Sequence, residues 1–173
     1  AGIPTLDIQD FTKGNQELRN KFVKNLGDAY ESIGFVAIHG HGIPDTLIED
    51  LYTQSQDFFG LSPEQKKAYA RPETNNQRGF VRMGVEHAKD SEAADLKEFW
   101  QVGQPNPPSD ADLTHFPSNS DVAETPQFKA TAEQAFEALE NLGQIMLQAI
   151  AIHLKVDESY FESWVAGGNS ILR

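Results

Sequence analysis

The sequence of 173 residues contains no cysteine. Disulfides, thiolate zinc sites, iron–sulfur clusters and cysteine nucleophiles are therefore excluded. Basic residues are scarce: 14 Lys and Arg stand against 26 Asp and Glu, a formal net charge of −12. A nucleic-acid backbone is bound by clustered cations that displace counterions, and an anionic membrane surface makes a similar demand. Neither nucleic acid nor membrane is expected as a partner. Apolar runs extend only a few residues, too short for a bilayer span. The opening Ala1-Gly2-Ile3-Pro4 lacks the basic and apolar regions of a signal peptide. These absences predict a soluble, cytoplasmic protein.

Hydrophobic residues make up 39% of the chain and charged residues 23%. That composition lies well away from the disordered class, and one domain or part of a larger one is expected at this length. Ile3, Leu6 and Ile8 read as a short first strand. From Asn15 to Ile33, apolar residues recur at Leu18, Phe22, Leu26, Tyr30 and Ile33, the spacing of an amphipathic helix, with Gly34 as its stop. Phe35-Val36-Ala37-Ile38-His39 predicts a buried strand. Asp45 can cap a second helix carrying Leu47, Ile48, Leu51, Tyr52, Phe58 and Phe59. In Ser62-Pro63-Glu64-Gln65, Ser62 caps, Pro63 takes the first helical position and Gln65 completes a capping box.

Arg71 to Asn76 reads as a polar loop, and Arg78–Val81 and Phe99–Val102 as short strands. Pro105, Pro107, Pro108, Pro117 and Pro126, interspersed with Ser, Asp and Asn, mark a long surface loop. Thr125-Pro126 then starts the longest helix, with one apolar face from Phe128 to about His153. Asp157 to Val165 can form one more short helix, stopped by Gly167-Gly168, and Ile171-Leu172-Arg173 begins another apolar run. The fold class is α+β. Three segments are expected: a scaffold over 1–103, a Pro-rich surface loop over 104–125, and a long helix, short helix and strand start over 126–173.

Chemistry is sparse. None of His39, His41, His87, His115 and His153 is followed two positions later by Asp or Glu, so the His-x-Asp half of a two-His-one-carboxylate iron site is missing. His39 and His41 would share a strand face and could form a metal pair, although one histidine under the turn and one in solvent explains them as well. Glu92 and Asp95 read as solvated surface. Arg78 stands out: it lies between a polar loop and an apolar strand, and guanidinium groups suit a substrate carboxylate. No phosphate loop, dinucleotide loop or Gly-x-Ser-x-Gly elbow occurs.

An ordered set of segments carries more information. It runs Ile3-Pro4-Thr5-Leu6-Asp7-Ile8, then Gly34 through Pro44 with its His39-Gly40-His41-Gly42-Ile43 core, then Phe58 through Tyr69, then Arg78-Gly79-Phe80, then Leu96-Lys97-Glu98-Phe99-Trp100-Gln101-Val102-Gly103. In order and spacing this resembles the N-terminal region of the isopenicillin N synthase-like, 2-oxoglutarate/Fe(II)-dependent oxygenases. Asn169-Ser170-Ile171-Leu172-Arg173 resembles the first strand entering their catalytic double-stranded β-helix, a jelly-roll, so a barrel strand is expected to begin near 170 after a long helix near 126–154. The resemblance implies an enzyme that oxidises a small organic substrate with O2, giving succinate and CO2 from 2-oxoglutarate. It implies Fe(II) and 2-oxoglutarate as cofactors, bound by residues beyond Arg173, since no iron ligand or 2-oxoglutarate residue can be carried over to this chain. It points to Arg78, Phe80 and Phe99 as substrate-binding residues. The chain is expected to be cut through an element at its end, and to be inactive by itself. The alternative is a stand-alone binding or interaction module that keeps this scaffold.

Overall fold

The computed structural model describes residues 2–86, 94–112 and 114–173. In chain order the elements are β1 (Thr5–Asp7), α1 (Ile8–Thr12), α2 (Gln16–Ser32), β2 (Ala37–His39), α3 (Asp45–Phe59), α4 (Pro63–Lys67), a 3-10 turn (Pro72–Thr74), β3 (Gly79–Val81), β4 (Phe99–Gly103), α5 (Phe128–His153), α6 (Glu162–Val165) and β5 (Ile171–Leu172). Helices and short strands coexist, the α+β class read from the sequence. The chain forms two compact units, Ala1–Ile43 with Ala138–Ala166, and Pro44–Glu137 with Gly167–Arg173.

In the first unit, Asn15 caps α2 by accepting from the Leu18 amide at 3.0 Å. The apolar stripe of α2 buries Phe22, Val23, Leu26 and Ala29. These pack with Ile8, Phe11 and Ala149, and with Leu142, Ile145, Met146 and Ile150 on α5. Strands β1 and β2 pair in parallel, with Leu6 opposite Ile38. Val36 and Ile38 turn inward, whereas Phe35 is 67% exposed. The expectation of a strand buried throughout from Phe35 is therefore corrected. A two-stranded sheet covered on one face buries only alternate residues.

In the second unit, Pro44 takes the cap position of α3 and makes no side-chain cap bond; Asp45 is the first helical residue rather than the cap. As an acidic residue of the first turn it still complements the helix dipole. Before α4 the capping box forms as read: Ser62 Oγ accepts from Gln65 N at 3.2 Å, and Gln65 Oε1 accepts from Ser62 N at 3.1 Å. Strands β3, β4 and β5 form one antiparallel sheet in that order. Phe80 lies opposite Trp100, and Val102 opposite Leu172. Phe58, from α3, is fully buried at the centre of an aromatic cluster, with Trp100 at 4.6 Å, Phe128 at 5.5 Å and Phe80 at 5.9 Å between ring centroids. The segment before α5 contains no helix or strand among the described residues, yet it is not all surface. Val122 is 2% exposed and joins the aromatic cluster.

Candidate functional site

Arg78 precedes β3, just after Asn75 and Asn76, both in the left-handed region with φ of 53° and 57°. That double turn leaves the Asn76 carbonyl to accept from the Gln101 side chain on β4. Arg78 is 0% exposed. Its Nε donates to the Pro117 carbonyl at 2.9 Å, Nη1 to the Gln77 carbonyl at 2.8 Å, and Nη2 to Asn169 Oδ1 at 2.8 Å. No carboxylate pairs with it among the described residues. Burial pushes the guanidinium below its ordinary value, and the nearby charge of Arg71 adds to that push. Arginine nonetheless stays charged.

Two asparagines and a glycine complete this network. Asn169 Nδ2 donates to Gln77 Oε1 at 3.1 Å and to the His115 carbonyl at 2.6 Å. Asn119 accepts from Gly103 N at 2.8 Å and donates both to Gly103 O at 3.0 Å and to Glu133 Oε1 at 2.8 Å. A Cβ at Gly103 would stand 1.8 Å from Arg78 Cζ, so only glycine leaves room for the guanidinium. At Gly79, φ is +74° and a Cβ would meet the Tyr69 carbonyl at 2.4 Å. Arg78-Gly79 is thus a buried cation followed by a close backbone approach.

Phe80 is 4% exposed and joins the Phe58 cluster. Phe99 is 8% exposed; the Arg173 guanidinium stands 4.2 Å from its ring centroid and forks onto Glu86 at 3.1 Å through both Nη atoms. Directly opposed residues of an antiparallel pair share a face. Phe80 and Trp100 therefore share one face, and Val81 and Phe99 the other. The structure does not bring Phe80 and Phe99 onto one wall.

The histidines are scattered. His39 Nδ1 lies 3.8 Å from Asp7 Oδ2, and His41 Nδ1 accepts from the Ile43 amide at 3.1 Å. His115 and His153 lie 3.1 Å from Asp112 and Glu31 respectively. His87 and Glu92 lie outside the described residues. Among the described residues no group of three or more His, Cys, Asp or Glu could hold a metal ion. These residues do not fit an iron centre.

Two concavities in the second unit were not legible in the sequence. One, of about 460 Å³, is lined by Arg71, Phe116, Pro117, Asn119, Lys129 and Glu133 among others. The other, of about 140 Å³, is mainly apolar and lies among Leu51, Phe59, Trp100, Val102, Phe128 and Leu172. Arg71 and Lys129 are 58 positions apart in sequence, so no local pattern joins them.

Residues 3–126 match the family described as non-haem dioxygenase in morphine synthesis, N-terminal. The chain belongs to this family. It is 30% identical to the proline hydroxylase buaE of Petromyces alliaceus over 177 residues, covering 99% of this chain and 54% of that one. The validamycin A dioxygenase of Streptomyces hygroscopicus subsp. limoneus is 25% identical, with 94% of this chain and 46% of the relative covered. Among solved structures, a 2OG-Fe(II) oxygenase family protein of Caulobacter crescentus superposes with a TM-score of 0.84 at 30% identity, over 99% of this chain and 54% of that chain. A full-length Neurospora crassa protein solved with alpha-KG gives a TM-score of 0.77 at 27% identity, over 98% and 49%. The chain spans about half the length of the relatives it matches. Among the described residues no helix is long and apolar enough to cross a membrane.

Proposed function

We propose that this chain is the N-terminal part of an Fe(II)- and 2-oxoglutarate-dependent dioxygenase that oxidises a small organic substrate. In the overall reaction one oxygen atom of O2 enters succinate, formed with CO2 from the keto acid, and the other serves substrate oxidation. The observation that carries this reading is the match of almost the whole chain to relatives named for that chemistry, combined with a family model that is itself N-terminal. The sequence has no His-x-Asp pair and the described residues hold no metal-binding cluster, so iron and 2-oxoglutarate would be held by polypeptide outside these 173 residues. Residues 1–103 act as scaffold, 104–125 as a Pro-rich surface loop, and 126–173 lead into the jelly-roll, with β5 as its first strand.

This chain's own residues have defined parts in that reading. Arg78, Phe80 and Phe99 serve the substrate site. Phe80 does so by packing in the Phe58 aromatic cluster from β3. Phe99 does so through its buried ring, which seats the Arg173 guanidinium at 4.2 Å. Arg78, fully enclosed, fixes the strand ends rather than reaching out.

The test is anaerobic addition of Fe(II) and 2-oxoglutarate to two polypeptides. The 173-residue chain should give no metal-to-keto-acid absorption and no O2-dependent succinate. A polypeptide joining it to a family jelly-roll should give both. Succinate formation by the 173-residue chain alone would overturn the assignment. A stable, monodisperse, metal-free domain, with the joined polypeptide also inactive, would favour a binding module.

A further inference from the structure

We propose that the cleft between Arg71 and Lys129 binds a small oxyanion, a carboxylate or phosphate on a compact organic frame. Its volume of about 460 Å³ exceeds what a few waters need and suits a small acid. Both cations that line it have unused capacity. Arg71 donates through Nε to Glu73 and through Nη1 to Ser120 Oγ at 3.2 Å and, weakly, to the Ser118 carbonyl at 3.5 Å. Its Nη2 carries no hydrogen bond among the described residues. Lys129 Nζ has one long ion pair, 3.5 Å to Asp121, whose carboxylate is 88% exposed.

Two cations, Arg71 and Lys129, line the cleft against one lining carboxylate, Glu133. The Glu133 Oε1 accepts from Asn119 at 2.8 Å. Glu73 lies on the Nε side of Arg71 and is 60% exposed. Behind the Pro117 wall sits the Arg78 guanidinium, bonded to neutral oxygens and unpaired with any carboxylate among the described residues. A buried cation compensated only by dipoles projects its field further than a surface pair does. Lys129 is in the first turn of α5, and that turn contains no acidic residue to offset the positive helix end. An arriving oxyanion would accept from Arg71 Nη2 and Lys129 Nζ, charge-assisted bonds of the kind that suit carboxylates and phosphates.

The experiment titrates the metal-free protein with malonate and, separately, with inorganic phosphate at low ionic strength. Amide shifts of Ser118, Asn119 and Lys129 are followed by NMR. A Kd of about 1 mM is expected, weakened at least about tenfold by Arg71→Gln and by Lys129→Gln, and unchanged by the exposed control Arg82→Gln. Shifts with malonate alone, phosphate alone or both identify the source chemistry, and each supports the site. Absence of saturable shifts with either anion would overturn it, as would binding that survives both substitutions. Because no iron takes part, failure here leaves the dioxygenase assignment untouched.

Discussion

Gly103→Ala is predicted to act almost entirely through Arg78, and a double-mutant cycle can expose this. The three atoms nearest to a Cβ at Gly103 are Arg78 Cζ, Nη2 and Nη1, at 1.8, 2.0 and 2.3 Å. Comfortable non-bonded contact requires about 3.5 Å or more, so the guanidinium must leave its place. Leaving breaks three hydrogen bonds from a charged donor and strands the acceptors at Pro117, Gln77 and Asn169. Such bonds contribute roughly 1.5–3 kcal/mol each before the displaced chain finds new partners. We expect Arg78→Ala to cost about 4 kcal/mol and Gly103→Ala about 3 kcal/mol. The double variant should cost about the same as Arg78→Ala alone, a coupling of roughly 3 kcal/mol. Urea unfolding followed by circular dichroism measures all four corners, with m held constant to validate the comparison. If the double variant loses the sum of the two single effects, the guanidinium is not what excludes a side chain at Gly103, and the clasp account fails.

The Tyr69–Glu124 link predicts a stability plateau with two edges. Tyr69 Oη donates to Glu124 Oε2 at 2.5 Å, and that bond is the main cause holding the Glu124 carboxyl below its ordinary value and the Tyr69 hydroxyl above its own. A depressed carboxyl stabilises above its unfolded pKa of 4.5 and loses this as pH falls through the folded value. A raised phenol stabilises below 10.0 and loses this as pH rises through its folded value. Tyr69→Phe should flatten both limbs of stability against pH; unchanged limbs would remove the link from the account. Phe58→Ala should cost about 3–5 kcal/mol, because a fully buried ring at the centre of five aromatic neighbours leaves a cavity. Near-ultraviolet circular dichroism should lose its Trp100 signal, and a loss below about 2 kcal/mol would mean that the cluster collapses to fill the space.

Local signals in the sequence determined the local elements. Asn15 and Gly34 bracket α2, Ser62 to Gln65 start α4, and the apolar face from Phe128 fixes α5, because caps and periodicity act within a few residues. The ordered motifs from Ile3 to Gly103 carried the family as well. Tertiary structure decided what those motifs do. Phe35 was read as core and lies in solvent, because only the alternate residues Val36 and Ile38 have a covered face to meet. Arg78 was singled out from its neighbours, but its burial depends on partners 39 and 91 positions away, Pro117 and Asn169. The cleft likewise joins Arg71 to Lys129 across β3, β4 and the segment that follows them. Hydrogen-bond partners and electrostatic fields depend on distance in space, and no periodicity along the chain encodes contacts of that separation.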